Sequence, residues 1–412
     1  MKIQEVVSPK GVRAWLVEDY TVPLVAMRFA FEGGSTQDPD GKEGLANLMT
    51  AMFDEGAGEL DSEAFQIKLD DAGAEMGFSA DRDRFGGGMR FLADQREEAI
   101  GLLALAVNQP RFDQKPLDRM RSQIVSGILA RSRDPEYAAG IKWGQALYPD
   151  HPYSRLTQGT PETLATITGN DLRALHRRIF AREKLYVGVV GAIDAETLKK
   201  NLDRVFGDLP EKPQLRAVPD VAPKLGQTLS VNYDLPQTLI QMGYPGVSRS
   251  DPEFFPAYLM NHILGGGTFT SQLFREVREK RGLAYSVDSS LSSSQHTNML
   301  AVSTATRSDR ASETLALMRQ VIAKVAEEGV SEEELAAAKK YVTGAYAINN
   351  LNSSAAIART LVELQAEKLG IDYMQKRTGL IESVTREQVN AVAKKLLSAD
   401  PAIMTIGPEK QG

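Results

Sequence analysis

Two copies of one α+β domain, each a mostly antiparallel sheet with helices packed on one face, form the architecture that the sequence predicts. Three observations lead there. The chain has 412 residues, which suits two domains of about 200 residues each. Short segments recur: Asp38-Pro39 returns as Asp251-Pro252, Leu117 as Leu335 and Gly191 as Gly407. A period of roughly 215 residues marks a duplicated domain, not a solenoid. Each half also runs strand, helix, hairpin, helix, helix, strand, an order that places helices over an antiparallel sheet. A polar stretch punctuated by Pro210, Pro213, Pro219 and Pro223 divides the halves. It sets a first domain at 1–209, a linker at 210–225 and a second domain at 226–412.

Within the first half, 13–18 and 24–32 alternate as strands, and Gly33-Gly34-Ser35 ends the second. Asp38-Pro39-Asp40-Gly41 is a loop, followed by an amphipathic helix from Leu45 to Phe53 and another from Glu63 to Ala72. Residues 75–92 read as a hairpin around Arg82-Asp83. Helices follow at Asp94–Val107, with Asp94 as N-cap, at Pro116–Arg131, and after Asp134-Pro135. Thr160-Pro161-Glu162 starts a short helix with proline in its first turn. Gly169–Phe180 is helical, and Leu185–Val190 is a buried strand ending at Gly191. The run Gly86-Gly88 lies in a strand pattern and marks a bulge or a close approach.

Composition excludes several classes of function. The net charge is −6 and no basic block occurs, which argues against nucleic acid as a partner. Cysteine is absent, so disulfides, thiolate metal sites and cysteine nucleophiles are excluded. No apolar run is long enough to span a membrane. The start, MKIQEVVSPKG, has no apolar signal core. Two expectations fit it: a cytoplasmic protein, or one whose leader has been removed and replaced by Met1. The four histidines, His151, His176, His262 and His296, never fall within five positions of one another, so no helical metal-binding pair exists. P-loop, dinucleotide and nucleophile-elbow motifs are missing too.

One stretch remains, GGGTFTSQLFREVREKRGLAYSV, from Gly265 to Val287. Thr268, Thr270 and Ser271 offer N-caps to a short helix that turns Leu273, Phe274 and Val277 inward. Gly282 stops that helix and 283–287 alternates as a strand. Such a corner can aim Arg278 and Tyr285 at one ligand, and both side chains donate hydrogen bonds to a carbonyl or oxyanion. The same spacing fits a solvated arginine and an ordinary sheet tyrosine. Gly265, Gly266 and Gly267 let a ligand backbone approach closely, and they fit a tight turn equally well. Chemistry alone thus gives two lobes and no self-contained catalytic site.

The whole chain resembles the pitrilysin/insulinase-type zinc peptidases, the inverted zincins, in their half-length, processing-peptidase-like form. FEGGSTQDPDGKEGLANLMTAMFDEGAG, HPYSRLTQGTPETLATITGNDLRALHRRIF, VGVVGAID and the Gly265–Val287 stretch carry the resemblance, in order, across both halves. The family's H-x-x-E-H box aligns with Asn47, Leu48, Met49, Thr50 and Ala51, so both histidines and the glutamate are missing. The helix that carries the family's third ligand aligns with 121–130, which holds no carboxylate. The resemblance therefore implies no cofactor in this chain and zinc in a homologous H-x-x-E-H partner subunit. Arg278 and Tyr285 match the family's arginine–tyrosine pair, which contacts the substrate carbonyl and the tetrahedral intermediate. The implied role is the metal-free subunit of a heterodimeric peptidase acting on extended peptides, with Gly265–Gly267 beside the substrate. A structural or peptide-binding subunit, like the core proteins of respiratory complexes, is the alternative. Similar bacterial subunits follow a cleaved leader, which implies the periplasm.

Overall fold

The structure, a computed structural model, describes residues 1–408. It divides into two compact units. Met1–Arg131, Arg155–Ala217 and Tyr346–Met374 form the first; Ser132–Ser154, Val218–Ala345 and the described chain from Gln375 form the second.

The first unit holds β1 (Gln4–Val7), β2 (Arg13–Glu18), β3 (Leu24–Glu32), the short pair β4 (Gly56–Ala57) and β5 (Leu60–Asp61), β6 (Glu75–Ala80), β7 (Arg84–Leu92) and β8 (Leu185–Gly191). Its main sheet runs β1-β2-β8-β3-β7-β6. Only β2 and β8 pair parallel in it; the other neighbours are antiparallel. Alternation along β3 sends Val25, Met27, Phe29 and Phe31 into one core, under the helices Leu45–Thr50, Arg96–Asn108, Gly169–Ile179 and Ala195–Phe206. Eight phenylalanine rings, those of Phe29, Phe31, Phe53, Phe78, Phe85, Phe112, Phe180 and Phe206, join edge to face, tilted or stacked in that core. Such contacts add to the burial of the rings themselves.

The second unit holds β9 (Thr228–Asn232), β10 (Gln237–Pro245), β11 (Ala284–Ser293), β12 (Asn298–Arg307) and β13 (Ala402–Gly407). Their order is β9-β13-β10-β12-β11, again with one parallel pair, β9 with β13. This repeats β2-β8-β3-β7-β6 strand for strand, as the recurring segments require. Phe254–Asn261, Ala311–Glu328 and Arg386–Leu397 cover one face through residues such as Met260, Ile322 and Leu396.

The expected halves need one amendment. The helix Pro135–Leu147, from the first half of the sequence, sets Ala139 and Trp143 against Val231, Met404 and Ile406 of the second unit's sheet. Ser354–Ala366, from the second half, sets Ala358 and Leu361 against Val17, Ala26 and Val190 in the first unit. Each sheet therefore carries its own helices on one face and one borrowed helix on the other. Both faces are apolar along these strands, so a one-sided cover would leave the second face in water. Gly188 admits the borrowed helix: a Cβ there would stand 2.4 Å from Ala358 O and 2.9 Å from Leu361 Cβ. Gln365 Nε2 also donates to Val187 O at 2.9 Å.

The stretch 210–225 has no helix or strand, yet it is tied down along its length. Arg216 N–H donates to Gln37 Oε1 at 2.7 Å, and Gln214 N–H to Arg178 O, both within the first unit. From Val218 on, Val221 N–H donates to His296 O and Lys224 N–H to Leu147 O, both within the second.

Local signals are mostly met. Asp134 caps Pro135–Leu147, Thr160 and Thr168 form capping boxes, and the hairpin turns at Arg82-Asp83. Two readings change. The helix from Leu45 stops at Thr50 and continues as turns. Asp94 sits in a 3₁₀ turn, Ala93–Gln95, which moves the cap position to Gln95 with no side-chain capping bond. Gly86–Gly88 pairs regularly on both sides and holds no bulge. Its glycines leave room for neighbours instead, since a Cβ at Gly87 would meet the Phe29 ring at 2.3 Å.

Candidate functional site

The second unit builds the corner from Gly265 to Val287. The helix Phe254–Asn261 runs on into a wide π turn, His262–Gly266. Gly265 is buried where a Cβ would stand 2.6 Å from Ser289 N and Oγ, so its absent side chain lets this turn close on β11. Ser289 Oγ donates to Asn261 Oδ1 at 2.8 Å and fixes the same contact. Gly266 is exposed and Gly267 half-buried. Of the three glycines proposed beside a ligand, Gly265 thus has a packing role, and Gly266 presents backbone to solvent.

A 3₁₀ turn, Thr268–Thr270, comes next, and Phe274–Glu279 forms a second π segment. Phe274 and Val277 in it, and Leu273 just before it, are buried, the face that the spacing predicts. Gly282 N–H donates to Arg278 O and Leu283 N–H to Val277 O, nested bonds that close the turn around Gly282 at φ +59°. β11 then starts with a bulge. Ala284 pairs with Thr306 and Val287 with Thr304, leaving Tyr285 and Ser286 as the irregular step. Thr306 Oγ1 donates to Leu283 O and Thr304 Oγ1 to Ser286 O, both at 2.6 Å, so the bulge's carbonyls find partners. The bulge sits on an edge strand and leaves Tyr285 81% exposed.

Arg278 and Tyr285 are brought together. The Arg278 guanidinium carbon lies 4.9 Å from the centre of the Tyr285 ring and 4.8 Å from that of Phe274. Four cations lie between Arg275 and Arg281. Arg275 pairs with Glu334, and Lys280 and Arg281 both pair with Glu276. Arg278 alone among them makes no ion pair or hydrogen bond with the described residues, and neither does the Tyr285 hydroxyl. The guanidinium is held by two aromatic faces while its N–H groups stay uncommitted. A cation and a hydroxyl offered side by side in this way suit a carbonyl oxygen or an oxyanion.

At the other sequence landmark, Leu48 and Met49 are fully buried in the core and Asn47 is half-buried. On Gln114–Arg131, Arg121 donates to Leu164 O and Ile167 O, and Arg119 pairs with Glu55. Apolar, amide and cationic side chains at these positions do not fit a zinc ion. Among the described residues no three of His, Cys, Asp and Glu gather as a metal-holding group. Two histidines serve packing: His176 Nε2 donates to Val107 O beside Phe53 and Phe180, and His262 stacks on Tyr341. His151 Nε2 bonds Pro219 O, and His296 Nδ1 bonds Asp220 Oδ1.

Among the cavities that the sequence does not announce is one of about 750 Å³, lined by Glu55, Ser62, Asp113, Lys115 and Arg119 among others. Its residues come from separate stretches with no motif among them.

Comparison with known families matches residues 13–144 to the insulinase (peptidase family M16) domain and residues 166–342 to the peptidase M16 inactive domain. An uncharacterized zinc protease of Mycobacterium leprae is 30% identical over 76% of this chain and 71% of its own length. The chain belongs to the insulinase peptidase family, M16. Another M16 relative, a non-peptidase homolog, YmxG, of Helicobacter pylori, is 24% identical over 92% of this chain and 87% of its own. A peptidase M16 inactive domain from Pseudomonas fluorescens superposes with a TM-score of 0.91 at 28% identity, covering 100% of this chain and 98% of the other. Relatives of this M16 chain thus include inactive and non-peptidase homologues. The periplasmic protease PqqL of Escherichia coli shares the fold at a TM-score of 0.84 and 16% identity, over 99% of this chain and 45% of PqqL. No helix among the described residues is long and apolar enough to cross a membrane.

Proposed function

We propose that this chain is the metal-free subunit of a heterodimeric M16 peptidase located in the periplasm. A homologous partner with the H-x-x-E-H box supplies zinc and its activated water. This chain supplies Arg278 and Tyr285, which receive the substrate carbonyl and stabilise the oxygen as it gains charge. The carrying observation is the uncommitted Arg278 beside exposed Tyr285, in a segment whose other cations are all paired. Substrates are extended peptides that add to a sheet edge; β11, which bears Tyr285, is such an edge.

The test is to assay cleavage of an unstructured fluorogenic peptide by this chain, by a zinc-bearing homologue and by their mixture. Activity is expected from the mixture alone. In it, Tyr285→Phe is expected to lower kcat by about 10²–10³ without removing the partner's zinc. Lys280→Ala, which loses only a pair with Glu276, changes little. Equal behaviour of these two variants in an assembled dimer would sink the proposal in favour of a structural subunit.

A further inference from the structure

Of fourteen phenylalanines in the sequence, thirteen are buried or half-buried and one, Phe269, is 67% exposed. Its place is not arbitrary. The Phe269 ring stands edge-on to Phe274 with centroids 5.1 Å apart, and Phe274 is the ring beneath the Arg278 guanidinium. Phe269, Phe274, Arg278 and Tyr285 form one unbroken row. Phe269 is exposed at the end of this row, so its ring extends the surface that Arg278 and Tyr285 offer to a ligand.

The loop that presents the ring is fixed. Gly267 N–H donates to His262 O at 2.7 Å, Thr270 N–H to Gly267 O, and Ser271 N–H and Oγ to Thr268 O. Ser271 is fully buried. Thr268 takes φ +46°, a left-handed conformation that is unfavourable for a β-branched residue. Its neighbours hold it there and lift Phe269 into solvent. A rigid loop with an exposed aromatic ring is the form an interaction anchor takes, because little freedom remains to be lost on binding.

We infer that Phe269 determines specificity: it receives an aromatic or branched aliphatic side chain of the peptide whose carbonyl Arg278 and Tyr285 bind. This rests on the function proposed above and names the substrate class for the same site. The Thr268–Thr270 turn that bears Phe269 packs against β11, the edge strand that carries Tyr285.

The test is binding of labelled unstructured decapeptides, with one central residue set to Phe, Leu, Ala or Asp, to the full chain by fluorescence anisotropy. The native chain is expected to bind the Phe and Leu peptides about tenfold more tightly than the Ala peptide. Phe269→Ala removes that preference, Phe269→Leu retains most of it, and circular dichroism confirms the fold of each. Arg278→Ala weakens all four peptides alike. Discrimination that survives Phe269→Ala, or a native chain that binds all four equally, overturns the inference and leaves the Arg278–Tyr285 reading intact. Preference lost with Phe269→Ala but affinity unmoved by Arg278→Ala keeps Phe269 as the side-chain contact and overturns its placement beside a carbonyl held by Arg278. Absence of binding by any peptide overturns the inference and leaves the proposed function to the cleavage assay of the mixture.

Discussion

Replacing Gly188 with alanine tests the borrowed helix directly. The added methyl would stand 2.4 Å from Ala358 O and 2.9 Å from Leu361 Cβ, where ordinary contact begins at 3.4 Å. Ser354–Ala366 must therefore retreat by about 1 Å, since a carbonyl within a helix cannot turn aside alone. Overpacking of this kind costs about 1–3 kcal/mol. The 2.9 Å bond from Gln365 to Val187 O is stretched by the same movement, at a further cost of about 1 kcal/mol if lost. Each kcal/mol lowers a melting midpoint by about 2–4 °C in a body of this size. Differential scanning calorimetry should thus show a loss of several degrees. Gly127→Ala is the matched control. It lies in Gln114–Arg131 with nothing within 4 Å of the new methyl, and it should gain about 0.5–1 kcal/mol. If Gly188→Ala melts with the native chain while Gly127→Ala shifts upward as expected, the helix does not depend on that close approach.

Gly265→Ala places a Cβ 2.6 Å from Ser289 N and should lower both stability and peptide binding, since the π turn and β11 support the corner together; unchanged values in both assays would contradict this. Burial holds the buried His176 imidazole down at about 4, from an ordinary 6.5. The folded form therefore favours the neutral ring, its contribution is intact above pH 6.5, and it is lost as pH falls from there towards 4. His176→Gln should flatten the fall in stability across that window in urea titrations. Asp38 has the opposite sign: burial, against bonds from the Ala46 and Gly44 N–H groups, raises its carboxyl to about 7. Its contribution is full in acid, below 3.8, and is lost as pH rises to about 7, so Asp38→Asn should weaken the loss of stability between about pH 4 and 7. A pH profile of Asp38→Asn parallel to the native one would exclude that assignment.

The repeated strand order was legible because hairpins, caps and alternation are local. Thr160, Thr168 and Asp134 announce helix starts from their own neighbourhoods. Amphipathicity shows that Pro135–Leu147 and Ser354–Ala366 need an apolar partner, but periodicity carries no address, so their exchange between units was not readable. Arg278 and Tyr285 stand out in the sequence as candidates by spacing and family likeness. That Arg278 stays uncommitted was not readable, because Glu334, the acid that takes Arg275, lies on a distant helix. Phe269 was hidden for a related reason: a phenylalanine in sequence reads as core, and only the left-handed Thr268 turns it out.

The reciprocal loan of helices bears on how such a protein can change over time. A duplicated domain usually keeps the option of separating again, each copy free to be lost, shuffled or fused elsewhere. Here a gene fragment ending at 209 would encode a helix, Pro135–Leu147, whose sheet is missing, and a sheet whose outer cover, Ser354–Ala366, is missing. The complementary fragment has the same two defects in mirror image. Losing either half therefore uncovers an apolar sheet face in the half that remains.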